Sequence, residues 1–232
     1  MTITTRAGKG SALTHNELDT NFTDLRDGLA IRVPKTQGYG IKVDSLGTPT
    51  FGWHDLLGSL EVDGYNPPTR VVYIGGLKQF QFAENNTAYF SFHLPHDYAV
   101  GTDIHIHSHW SHTSSLVTGG SVTWTYELTY AKGHNQAAFD SPIIVSGTQN
   151  ASTIQYQHMI VETAISTAGG SPTQLSTSAM EPDGMIFGRV WLSANGITVS
   201  GGGVPDPFLH EVDLHYQSTG VATKQRFPGF WG

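Results

Sequence analysis

The chain of 232 residues contains no cysteine. That excludes disulfide staples, thiolate nucleophiles and cysteine-ligated metals. Charge is scarce as well. Asp, Glu, Lys and Arg make up 13% of the residues, against about 25% in ordinary soluble domains. The 12 Lys and Arg are outnumbered by 19 Asp and Glu, for a formal net charge of −7. The basic residues form no cluster, so nucleic acid is not an expected partner, because phosphate binding needs a basic patch. No apolar run reaches the ~18 residues of a membrane span. Residues 1–11 lack a hydrophobic signal region. Neither membrane insertion nor a secretory leader is expected. There is no Gly-x-Ser-x-Gly elbow, and Gly201, Gly202 and Gly203 do not join a strand to a helix. Serine hydrolase and phosphate-loop chemistry therefore find no support.

What the chain has instead is 27 glycines, many hydroxyl and amide side chains, and 12 histidines. That balance suits a β-rich chain with many turns. By size scaling it can bury roughly 70% of its unfolded surface, which suits one large β domain with extra segments or two smaller domains.

Residues 1–28 differ from the rest. Thr14 and Glu17 have the spacing of a capping box, with Leu13 placed as a hydrophobic staple. Leu18, Phe22 and Leu25 follow at helical spacing, and Gly28 is a stop. The helix is too short to be stable alone. Its stripe of Leu13, Leu18, Phe22 and Leu25 must dock, either on its own domain or on a partner. Residues 29–69 read as an extended neck, with one strand-like piece at 39–44 and a boundary at Pro67 and Pro68. From residue 70 the pattern is all β. Strand-like runs fall at 70–74, 79–82, 88–93, 103–110, 121–130, 155–161, 185–192 and 208–216. The predicted fold is mainly β: a short N-terminal helix and neck, then a C-terminal antiparallel β-sandwich head, jelly-roll-like, over residues 70–232.

Four histidines, His105, His107, His109 and His112, crowd into eight residues. On a strand, alternate side chains share a face. His105, His107 and His109 then line one face, with Ile104, Ile106 and Trp110 on the other. Three imidazoles in a row suit a metal, a coupled titration or a polar groove. Gly101, His107 and His109 match the opening of the metal motif of cupins, which are jelly-roll enzymes. The Glu that should follow is replaced by Thr113, Ser114 and Ser115, and no second motif supplies another histidine. Two other readings stand beside a cupin-like metal-dependent enzyme: a hydrogen-bonded histidine patch, and a structural metal on His105, His107 and His109 shared between copies of the chain at a symmetry axis. On the last strand Glu211, Asp213 and His215 share a face, which reads either as a solvated edge or as a cluster in which a carboxylate orients an imidazole for catalysis or ligation. Trp53, Tyr65, Trp110, Trp124 and Trp191 are either core or sugar-stacking side chains.

Two segments carry a resemblance. Lys9, Gly10, Ser11, Leu13, Thr14, Glu17, Asp19, Asn21 and Phe22 follow a pattern similar to the N-terminal attachment segment of bacteriophage tail-fibre and virion appendage proteins. Pro95, Asp97, Tyr98, Gly101, Asp103, His107, His109 and Trp110, then the aromatic strand 122–128, then His215, Tyr216, Gly220 and Lys224, resemble a phage structural domain. The resemblance implies a non-enzymatic virion protein, assembled in the host cytoplasm as a homotrimer. Residues 1–28 would be its attachment segment and other tail or capsid proteins its partners, with a host-surface glycan or protein as a further one. The chain is short for a long fibre. A tail appendage or adaptor is therefore the expected role, with a capsid decoration or head-fibre protein as the alternative.

Overall fold

The computed structural model describes residues 10–29, 51–62 and 64–230, and for residues 23–29 the backbone alone. The strand expected at 39–44 and the side chain of Leu25 lie outside these residues. The chain divides into two compact units. One is Met1–Gly52 with Ser218–Val221; the other is Trp53–Gln217 with Ala222–Gly232.

In the first unit a helix spans His15–Leu29, and its start follows the expected chemistry. The Glu17 carboxylate accepts from the Thr14 backbone N–H at 2.7 Å, and the Thr14 hydroxyl accepts from the Glu17 N–H at 3.3 Å. Each side chain thus satisfies a backbone donor that the first turn leaves open.

The second unit is a sandwich of antiparallel sheets. Six strands form the first sheet: β1 (Gly52–Gly58), β2 (Thr69–Ile74), β3 (Leu77–Gln81), β5 (His105–Ser111), β9 (Met159–Ala164) and β14 (Phe208–Ser218). Their order is β2-β3-β14-β5-β9, with β1 also paired to β14. The second sheet has the order β4-β12-β7-β8, from β4 (Thr87–His93), β7 (Ser121–Ala131), β8 (Ile143–Asn150) and β12 (Met185–Asn195). Two small pairs complete the strands among the described residues. β6 (Val117–Gly119) lies beside β13 (Thr198–Val199), and β10 (Ser166–Thr167) runs parallel to β11 (Leu175–Ser176).

Period-two patterning builds the core between the sheets. From β7 come Val122, Trp124, Tyr126, Leu128 and Tyr130, from β12 Ile186, Val190 and Leu192, and from β5 Ile106 and Trp110, all buried. The ring of Phe82 meets Trp124 edge-on at 5.2 Å. Ser108 is the polar exception on the inner face of β5. Its hydroxyl lies 2.7 Å from the Tyr126 hydroxyl across the core, which removes the cost of an unpaired buried donor. Trp110 Nε1 donates to Gln149 Oε1 at 2.7 Å. Each such large side chain contributes roughly 1.5–3 kcal/mol by leaving water.

Four differences from the sequence reading matter. The sheet begins in the stretch read as neck: β1 starts at Gly52 and pairs with β14. The boundary at residue 70 therefore falls inside the sheet, because Pro67 and Pro68 mark a turn between two of its strands and not a domain edge. β14 is a central strand, not a solvated edge, since its Val212 and Leu214 are fully buried. β9 runs over Met159–Ala164 and not 155–161, because Tyr156, at φ 62°, turns the chain and donates its N–H to the His112 carbonyl. β8 went unread because its partly exposed, polar alternation is weak.

The two sheets close against each other where β8 meets β9. A Cβ on Gly147 would stand 2.1 Å from Thr163 Oγ1 and 2.6 Å from Val161 Cγ1. Gly147→Ala is expected to cost about 1–3 kcal/mol through overpacking and to lower the thermal midpoint by several degrees. A wild-type melting curve would show that β8 and β9 separate freely.

Candidate functional site

The sequence of β5 makes it two-faced. Ile104, Ile106, Ser108 and Trp110 point into the core, which turns His105, His107, His109 and Ser111 to the opposite side. Its neighbours decide what these imidazoles meet. In the β14 register Asp213 stands opposite His107 and His215 opposite His105. In the β9 register Glu162 stands opposite His107. Directly opposed side chains in antiparallel strands approach within contact distance, so His107 sits between two carboxylates.

The distances bear this out. His107 Nδ1 lies 3.2 Å from Asp213 Oδ1, and His107 Nε2 3.0 Å from Glu162 Oε2. His109 Nε2 lies 3.0 Å from Asp213 Oδ2, and its Nδ1 is 2.8 Å from His158 Nε2. His215 Nδ1 is 3.2 Å from His107 Nε2 and 3.6 Å from Glu162 Oε2. From β1, Asp55 Oδ1 lies 3.8 Å from His215 Nε2. Trp53 packs on His215 at 4.7 Å and edge-on to His105 at 5.5 Å.

Burial and pairing compete here. Asp213 is 3% exposed. Burial alone would raise its pKa, but hydrogen bonds from His107 and His109 outweigh it and hold the carboxyl at about 2. Burial likewise opposes protonation of His107, and Asp213 with Glu162 more than offset it, so its pKa is raised. Glu162 is lowered, chiefly by its hydrogen bond to His107. His210 goes the other way. At the register shift of β14 it reaches Ser111, 2.7 Å from Nε2. With no carboxylate among the causes of its shift, burial, followed by the charges of His158 and His109, pushes it down to about 4. Ser111, bonded on its other side to the Tyr73 hydroxyl at 2.7 Å, is fully buried. The Ser111 hydroxyl is thus engaged by both Tyr73 and His210.

The three expected histidines share a face, and two of them converge: ligand atoms of His107, His109 and Asp213 all lie within 4.8 Å of one another. His105 faces Trp53, His107 faces Asp213 and Glu162, and His109 faces Asp213 and His158. His112 leaves the row and is buried against the Ser152 carbonyl at 2.7 Å. The inner face of β5 carries Ile106 and Trp110, and the imidazoles of His105, His107 and His109 lie on the other face. Sequence reasoning missed Glu162, His158 and Asp55, because residues some fifty positions apart carry no local signal of strand register. Trp53 was noted and is 44% exposed, whereas Trp110 and Trp124 are core.

A second histidine group gathers around Asp183. His96 Nε2 lies 2.9 Å from Asp183 Oδ1, His93 Nε2 3.4 Å from the same oxygen, and His134 Nε2 2.8 Å from Oδ2. Nearby, the segments that carry the phage-domain resemblance meet. Tyr216 donates to Asp97 at 3.1 Å, and the Ala99 N–H donates to the Gln217 carbonyl at 2.8 Å.

No family model and no curated protein matches the sequence. Among solved structures, the xylan-binding module CBM15 is similar at 8% identity over 72% of this chain and 97% of that one, with a TM-score of 0.33. The CBM22-1–GH10 modules of Clostridium thermocellum xylanase 10B, complexed with xylohexaose, are similar at 11% identity and a TM-score of 0.34. The match covers 75% of this chain but spans only 28% of theirs. The stem and receptor-binding domain of spike protein P1 from bacteriophage PM2 is similar at 9% identity over 66% of each chain, with a TM-score of 0.25. Scores this low carry nothing about ligands or partners to this chain.

Asp213 offers a direct test of the pairing. Its depressed pKa means that its contribution is complete above the unfolded-state value near 3.9 and is lost as pH falls towards 2. Asp213→Asn is expected to cost on the order of 2 kcal/mol at neutral pH, the difference narrowing below about pH 4. Denaturant melts across that range measure it, and a pH-independent difference would contradict the pairing. In an imidazole NMR titration, His210 should turn over at about 4 and His107 above the ordinary histidine value.

Proposed function

We propose that this chain is a non-enzymatic structural subunit of a bacteriophage particle, a tail appendage or adaptor that attaches through its N-terminal helix and presents the β-sandwich outward. The observation that carries this reading is the helix itself. It is capped by Thr14 and Glu17, yet Leu18 is 38% exposed and Phe22 69% exposed. Both belong to the segment that resembles phage attachment regions. An amphipathic helix this short gains little stability alone, so an apolar stripe left in water is a surface awaiting a partner. Each of these side chains offers roughly 1.5–3 kcal/mol on burial.

The outward contact falls to the histidine face. There Trp53 exposes ring surface beside His105 and His215, with Asp55 and Glu162 within reach. An aromatic platform edged by hydrogen-bonding groups suits a sugar ring, so a host-surface glycan is the partner this face fits. The subunit assembles as a homotrimer, the form in which weak single contacts gain avidity.

Phe22→Asp should abolish incorporation into particles while the sandwich keeps its circular dichroism and melting temperature. Normal incorporation would place the anchor elsewhere. Imaging of labelled particles separates the two positions: label on the tail supports an appendage, and label on the shell makes the chain a capsid decoration protein. Sedimentation equilibrium of the full chain is expected to give three times the chain mass, and a stable monomer overturns the trimer.

A further inference from the structure

We propose that His107, His215 and Glu162 form a binding site for one divalent transition-metal ion of the zinc type within each chain. The site draws on three strands, β5, β14 and β9, and goes beyond the attachment role.

The first argument is spacing. His107 Nε2, His215 Nδ1 and Glu162 Oε2 make a triangle with sides of 3.0, 3.2 and 3.6 Å. Ligand atoms bound about 2.0–2.1 Å from a tetrahedral zinc stand roughly 3.3 Å apart. An ion at that bond length from all three atoms would sit just off the plane of the triangle, with a fourth position open. Glu162 is 55% exposed in its side chain, so that position faces water and an ion can enter.

The second argument is what stands behind the ligands. A metal-bound imidazole usually directs its other nitrogen at a carboxylate, which fixes the ring and its tautomer. Each histidine has a carboxylate on that side, within hydrogen-bond range for His107 and farther off for His215. His107 Nδ1 faces Asp213 Oδ1 at 3.2 Å, and His215 Nε2 faces Asp55 Oδ1 at 3.8 Å. The other oxygen of Glu162 lies 3.9 Å from His105 Nδ1. Trp53 covers the His215 ring at 4.7 Å. Asp55 is close enough to take part, since ligand atoms of Asp55, His107 and His215 all lie within 4.8 Å of one another.

The third argument is proton count. His107 Nε2 carries at most one proton, and it faces two acceptor-capable atoms, one on Glu162 and one on His215. A cation satisfies all three lone pairs together. Two imidazoles and one carboxylate suit zinc, cobalt, nickel or copper; calcium and magnesium prefer all-oxygen shells. His105 and His109 fall outside the ligand set, and no symmetry axis is needed. A bound ion would clip three strands together and stabilise the fold by mass action.

The test titrates the full chain, stripped with chelator, with Zn2+ by calorimetry and with Co2+ by visible absorption. One ion per chain is expected, with the absorption of a tetrahedral cobalt centre and a raised melting temperature. Glu162→Gln and His215→Ala should each weaken binding at least tenfold, and Asp55→Asn by about tenfold, as supporting carboxylates do. His134→Ala, in the separate group around Asp183, should leave the affinity unchanged. Glu162 is exposed, so its variant keeps the fold and the result readable even if His215→Ala does not fold. Absence of binding, undiminished binding by folded Glu162→Gln, or one ion per three chains would each overturn the proposal.

Discussion

Strand β5 is the constraint on which the rest of the structure depends. Its inner side chains, Ile106 and Trp110, are locked into the core. Slipping the strand by one residue would put imidazoles in the core and isoleucines in water, so the burial of one face dictates the position of the other. Because β5 lies between β14 and β9, fixing it also fixes which carboxylates its histidines meet. The polar cluster is thus held in place by apolar packing on the far side of the same strand.

That cluster shows how burial and charge are reconciled. A carboxylate as enclosed as Asp213 would be neutralised by desolvation if it stood alone. Two imidazoles reverse the outcome. His210, on the same strand and partly buried, has no acid among the causes of its shift and is driven towards the neutral form. Two histidines of one sheet therefore hold opposite protonation preferences.

The helix and the sandwich present different problems. The helix is specified locally by the Thr14–Glu17 pair, whose reciprocal hydrogen bonds need no tertiary partner, and it leaves Leu18 and Phe22 in water. The sandwich satisfies its own core, and its reactive-looking side chains are engaged with one another.

Much of this was legible in the sequence. Alternation in 121–130 and 185–192 announces two long strands, Thr14 and Glu17 announce a helix start, and the spacing of His105, His107 and His109 announces a shared face. These are local facts, set by backbone geometry with a period of two or 3.6 residues. The sequence by itself determined a mainly β chain, a capped helix and a histidine row opposite an apolar one. It did not determine that β14 is central, that residues 52–58 join the sheet, or that Glu162 and Asp55 stand beside His107 and His215. Those depend on which distant strands pair and in what register. Only tertiary packing decides that, because the free energy that selects a register comes from core side chains far apart along the chain.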